Sequence, residues 1–342
     1  MRNINLEAAI WTLFSSTEFF EAAARECEET MEWIGALAVL RRVPNFGRNN
    51  QIFDTFKKLG NNFRKGCDLA RLGDYSLIWN TSCNVPSHIR GVMEQPLHSW
   101  MSEPEYQEFN NVRIRRLMKY AGRIESALNN AMTGAGAFFY PDPDCLERSN
   151  DDDGFPGDTI VRWYNDYVNL FTPPVSLRIA NPSPEYSVDT STACRTGDEV
   201  PWTGVWFPST GLESHSLTFA IQGMRMQPAY RVLKTTEELR TDEYMFPPPE
   251  TVAVETVWHL IKPAASVIAA SDEIWSKEGE PCPKAGLWQA TDPGAAPRIY
   301  QAGEPMASLG SAFGLTVWRW VAGRQAANTG HGNGSDSYGD KR

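Results

Sequence analysis

One pattern of glycine, tryptophan and methionine occurs twice in this chain and limits its fold more than any other feature. Pro201-Trp202-Thr203-Gly204-Val205-Trp206 is followed, seventeen residues after its last Trp, by Gly223-Met224-Arg225-Met226, and later by Thr256-Val257-Trp258. Pro283-Lys284-Ala285-Gly286-Leu287-Trp288 is followed fifteen residues on by Gly303-Glu304-Pro305-Met306, and then by Thr316-Val317-Trp318. Three blocks repeated in the same order point to duplication of one supersecondary unit. Gly204 and Gly286 allow a positive φ or a close backbone approach just before a strand, and Trp206 and Trp288 bury a large ring two residues on. Gly223 and Gly303 read as turns that re-enter an apolar layer, where the pliable thioethers of Met226 and Met306 fill gaps between aromatics. Trp258 and Trp318 close each unit. The competing reading of the tryptophans is an exposed aromatic platform for a ligand or sugar. Two copies are too few for a solenoid, so a compact pair of packed β-units is expected, at about 201–260 and 283–320.

Proline and charge set the duplicated part off from what precedes it. Residues 1–135 carry 16 basic and 15 acidic side chains with 4 Pro, whereas residues 136–342 carry 16 basic, 27 acidic and 19 Pro. The first part reads as a helical bundle. Its clearest element is 102–132, opened by a Ser102/Glu105 capping box with Pro104 in the first turn; Ile114, Leu117, Ala121, Ile124 and Leu128 then form one apolar stripe. Arg113, Arg115, Arg116, Lys119 and Arg123 on its other faces read as a solvated face pairing with carboxylates, with a nucleic-acid contact as the alternative. Segments 6–25, 28–42 and 50–72 also read as helices, punctuated by Pro44, Gly47, Gly73 and Asp74. Beyond Gly134, short apolar runs such as 137–140 and 175–179 are cut by frequent Pro, so 136–322 is expected to be short β-strands with brief helices near 234–240 and 271–275. Residues 323–342 have almost nothing to bury and read as a disordered tail. The fold class expected is α+β.

The net charge of −10 repels phosphate backbones, so direct nucleic-acid binding is disfavoured and a basic protein partner is favoured. The first residues do not read as a signal peptide, and the apolar runs 34–40 and 264–270 fall short of the roughly 18–20 residues that cross a bilayer, so a cytoplasmic protein without membrane contact is expected. Cys27, Cys67, Cys83, Cys145, Cys194 and Cys282 are scattered without a CxxC pair, which suits buried free thiols better than a metal or redox centre.

Signs of catalysis are sparse. His88, His98, His215, His259 and His331 fall in different elements, and there is no Gly-x-Ser-x-Gly elbow, phosphate loop, dinucleotide fingerprint or His-Glu-x-x-His helix. Asp151-Asp152-Asp153-Gly154 suggests a calcium loop, but with Gly154 at the sixth position the first and last ligands would be Ser149 and Ile160, which excludes an EF-hand. A metal site shared with Asp142, Asp144 or Asp158 is a weaker alternative to a solvated or docking loop. No cofactor, metal ligand or catalytic residue is assigned, and an enzyme is not expected.

The two Pro-x-x-Gly-φ-Trp, Gly-x-x-Met and closing-Trp sets, behind a helical N-terminal region, resemble the immunity proteins of bacterial polymorphic-toxin systems in families seventy-one and seventy-two. The matched part covers about 201–320. That resemblance implies a protein that binds and neutralises one cognate toxin domain delivered by contact-dependent or type VI secretion in interbacterial competition. It transfers no catalytic residue. The toxin is expected to be basic around its active site, and the candidate contacts are Asp151, Asp152, Asp153, Glu237, Glu238, Asp242 and Glu243. An enzyme that reverses the toxin's covalent modification, with the Asp-rich loop at 151–153 holding Mg²⁺ for the hydrolysis, and an adaptor or chaperone for toxin secretion are the alternatives.

Overall fold

The computed structural model describes residues 3–43, 51–134, 160–171, 173–209, 216–234, 236–241, 250–264, 273–292, 294–310 and 315–322. They form two compact units, Met1–Ala270 and Ser271–Arg342. The class is α+β, helical first and then antiparallel sheets. The boundary between the units falls at 270/271, and the change from helices to sheets lies inside the first unit, where the first β-unit shares a core with the helices.

Helix α1 (Ile4–Phe14) is capped by the Asn3 side chain, which accepts from the Leu6 N–H at 3.1 Å. Helix α2 (Thr17–Leu40) follows at once, with Ser16 accepting from the Phe19 N–H and Ser15 donating to the Trp11 carbonyl. The expected break near residues 26–27 is absent. The two serines divide the segment earlier, because their hydroxyls satisfy backbone groups at a helix end. Helix α3 (Gln51–Arg71) packs beside α4 (Ser76–Met93), and a Cβ on Gly66 would come within 3.1 Å of Ile78. The sequence reading contains no helix at 76–93, where Pro86 lies in the interior. Asp74 starts it by accepting from the Ser76 N–H, and Ile78, Val85, Ile89 and Val92 bury one stripe.

The expected helix over 102–132 is present in three joined parts: α5 (Glu103–Gln107) with its capping box, a π-helical stretch (Glu108–Ile114), and α6 (Arg115–Thr133), ended by Gly134 at φ +68°. All five residues of its apolar stripe are buried. Its basic run is not one solvated face. Arg113 stacks over Trp33 and pairs with Glu108 at 3.5 Å, while Arg123 is buried, lies 4.0 Å over Trp163 and reaches Asp166 at 3.8 Å. Trp163 and Asp166 belong to α7 (Ile160–Phe171), a helix inside the region expected to be β-rich. Tyr167 from α7 packs edge-on among Phe14, Phe19 and Tyr120. Residues 175–177 form a 3-10 turn, not a strand.

In the first unit, β1 (Tyr186–Arg195), β2 (Gly204–Pro208), β3 (Thr218–Ala220) and β6 (Val257–Pro263) form an antiparallel sheet in the order β1-β6-β2-β3. A separate hairpin, β4 (Ala229–Lys234) and β5 (Glu250–Val254), lies between β3 and β6 in the chain, with α8 (Thr236–Leu239) between its strands, inside the expected helical stretch 234–240. In the second unit, β7 (Trp275–Lys277), β8 (Gly286–Ala290), β9 (Arg298–Tyr300) and β10 (Val317–Ala322) pair in the order β7-β10-β8-β9. The helix expected at 271–275 is not found at its described residues: Trp275 begins β7, because the second copy needs a strand where the first has β1.

The two sheets therefore have the same strand order, and their connecting turns match bond for bond. Gly197 N–H donates to Met226 O and Gly279 N–H to Met306 O, both at 2.8 Å. Gly223 N–H donates to Val200 O as Gly303 N–H does to Cys282 O, and the Trp258 and Trp318 indoles donate to Gln227 O and Ala307 O, each at 3.0 Å. Gly197, Gly223, Gly279 and Gly303 all have φ between +79° and +87°, a region that costs other residues energy. The first copy is longer because the β4–β5 hairpin is inserted between Met226 and Thr256.

Candidate functional site

The repeat positions build two small cores. Trp206, Met226 and Trp258 are buried with Cys194, Val200, Ala220, Ala229 and Leu260; Trp288, Met306 and Trp318 are buried with Cys282, Ala290 and Tyr300. An exposed aromatic platform made of these rings is thereby overturned. Gly204 serves close approach, since a Cβ there would meet Leu260 at 3.1 Å. With their side chains committed to packing, these positions leave function to the surface around them.

That surface differs sharply between copies at one place. In the first unit the turn at 221–224 is fastened to the strand entry at 200–203 by Gly223 N–H to Val200 O, Val200 N–H to Met224 O and Gln222 N–H to Thr203 Oγ1, at 2.8–2.9 Å. Trp202, 58% exposed, and Met224, 39% exposed, project from this end, with exposed Asp198, Glu199 and Arg225 on the paired segments beside them. The corresponding residues of the second unit are Lys284 and Glu304. Lys284 lies 3.8 Å over the Trp320 ring, and the Glu304 carboxylate accepts from the Gln301 N–H at 2.8 Å. The backbone differs too: the Trp288 indole donates to the Lys284 carbonyl at 2.9 Å, whereas the buried Trp206 indole N–H has no acceptor among the described residues. A large aromatic held in water on a fastened turn, with a thioether close in the fold and charged residues around, has the composition of an interface anchor with its rim.

Of the acidic candidates, Asp151, Asp152, Asp153, Asp242 and Glu243 lie outside the described residues, as do Cys145, His215, His331 and the tail at 323–342. Glu237 and Glu238 belong to α8 of the inserted hairpin, and Glu238 is exposed. Trp202 and Met224 escaped the sequence reading because Trp in a core motif reads as core; the signal was the Lys and Glu at the matching places of the second copy.

Elsewhere the described cysteines sit away from open solvent. Cys27, Cys67, Cys194 and Cys282 are buried free thiols and Cys83 is half-buried; burial pushes the Cys27, Cys67 and Cys194 thiols upward, and Cys83 to about 11, away from the thiolate. The Asp189 carboxyl is held below its ordinary range by Lys262 at 2.5 Å together with Ser191 and Thr192. His88, His98 and His259 stand on α4, a 3-10 turn and β6 respectively. Among the described residues no group of three or more His, Cys, Asp or Glu is placed to hold a metal ion, and no helix is long and apolar enough to cross a membrane. In comparisons with known proteins, no family model, no curated protein and no solved structure matches the chain.

Proposed function

We propose that this chain is an immunity protein that binds one cognate bacterial toxin domain and neutralises it by covering the active site or the approach to it. The observation that carries the reading is Trp202 with Met224, presented to solvent on turns whose counterparts carry Lys284 and Glu304. A scaffold copied once, and altered in one copy by an exposed Trp and an inserted hairpin, fits recognition of a single partner. The resemblance of the repeat to immunity families supplies the class of partner. The net charge of −10 adds long-range attraction to a toxin that is basic around its active site, and would raise the association rate towards about 10⁸–10⁹ M⁻¹s⁻¹ at low salt.

The reading requires a secreted protein ending in a toxin domain in the adjacent upstream reading frame, and co-expression with that domain tests it. Growth is restored by the wild-type chain, and protection requires about one copy of this protein per toxin, as blocking by binding demands. Protection at far lower ratios would assign an enzyme that reverses the toxin's modification. Binding that leaves toxin activity intact would assign a secretion adaptor.

A further inference from the structure

A half-open cavity of about 170 Å³ lies between α2, α6 and the segment at 173–177. Its helical walls follow from spacing: Ala22, Arg25, Glu26 and Glu29 share one face of α2, and Arg116 and Tyr120 one face of α6. Two arginines and two glutamates thus line one small space, and among the described residues none of the four is in an ion pair with another. Glu26 is only 7% exposed, and its Oε1 is buried without a hydrogen-bond donor. Held mostly out of water at the wall of the cavity, the Glu26 carboxyl favours an opposite charge set against it from the cavity side.

We propose that this cavity binds a small zwitterion of the α-amino-acid kind, its ammonium group donating to Glu26 with Glu29 at the rim, and its carboxylate accepting from Arg116 and Arg25. A simple cation would meet both arginines and a simple anion both glutamates, whereas a zwitterion complements all four. The volume is small beside the roughly 300–1,000 Å³ of pockets that hold drug-sized ligands, which suits a free amino acid better than a nucleotide. Ala22, Tyr120 and Leu177 offer an apolar wall to a side chain. This site belongs to the helical part of the first unit and does not depend on the toxin reading.

Burial pushes the Glu26 carboxyl up to about 7, and Glu29 and Glu108 add to the rise while Arg116 and Arg113 oppose it. An ammonium group against it holds it ionised, so binding at neutral pH releases a proton. Each free proteinogenic amino acid, at millimolar concentration, is tested against the whole protein by thermal shift and by calorimetry in two buffers of different ionisation enthalpy. At least one raises Tm with the logarithm of its concentration and releases a proton, and Glu26→Gln and Arg116→Gln each weaken it tenfold or more. Butylamine and butyrate, which carry one charge each, leave Tm unchanged. Glu26→Gln remains folded: its native carboxyl titrates near 7 against 4.5 unfolded, so the charged form costs stability increasingly from pH 4.5 to 7, and the variant melts higher than wild type at pH 8 and equally at pH 4. No shift with any amino acid, a shift untouched by both substitutions, or an equal shift with butylamine or butyrate would each overturn the proposal.

Discussion

The two β-units share a strand order and a set of turn hydrogen bonds, yet they keep different company. In the first, the tryptophan face of the sheet covers a core of its own, and the opposite face, with Val205, Phe207, Phe219 and Ile261, packs on the helical core. In the second, the tryptophan face is as dry, but the positions matching those four are Leu287, Gln289, Ile299 and Val321, of which Ile299 and Val321 are about half exposed. The duplicated Gly, Trp and Met therefore specify one face of a sheet and its turns. The other face is free to vary, since strand residues alternate between faces and only one set is committed. The same freedom extends to the turn ends, where one copy presents Trp202 and Met224 and the other Lys284 and Glu304.

The largest effects should come from the shared face. Trp206→Ala and Trp288→Ala each remove a fully buried ring, at a cost of about 3–5 kcal/mol. The consequences should part company: β8 and β10 depend on a core of six buried residues and should lose slow amide exchange, while β2 keeps protection because its other face is held by helices. Equal loss of protection by mass-spectrometric hydrogen exchange would mean that the helices contribute nothing to the first sheet.

The unshared face should separate the copies most cleanly. Phe219→Gln puts an amide into the helical core and should cost about 3 kcal/mol or more, whereas Ile299→Gln, at the matching place, should stay within about 0.5 kcal/mol. Urea midpoints measured for both variants at constant m-value decide this. Comparable losses would place Ile299 in a core and break the contrast.

The smallest difference between the copies should be at the turns. Gly223→Ala and Gly303→Ala meet no atom within 4 Å but force alanine to φ of +82° and +84°, at about 1–2 kcal/mol each. A difference larger than about 0.5 kcal/mol between them would show that the turns are not equivalent in energy.

These contrasts explain what the sequence could and could not reveal. The duplication was legible because glycine at positive φ and tryptophan in a small core are demanding positions that few residues fill. The stripe from Ile114 to Leu128 was legible by period. Helix α4 was hidden by Pro86, although an interior proline is tolerated here within a buried stripe, and α7 by the prolines and aspartates around it. The division at 270/271 was invisible, because what joins the first β-unit to the helices is the face the repeat does not specify. The exposed tryptophan was masked by its neighbours in a motif made for packing.

The most direct test of the proposed function is calorimetric titration of the toxin domain that the proposal requires with wild type and with Trp202→Lys/Met224→Glu, which gives the first unit the residues of the second. The substitutions touch exposed positions and should leave Tm nearly unchanged. The account predicts that affinity falls by about 100-fold or more, as expected when an anchor of an interface is replaced by charge. An unchanged Kd for the folded variant would contradict it.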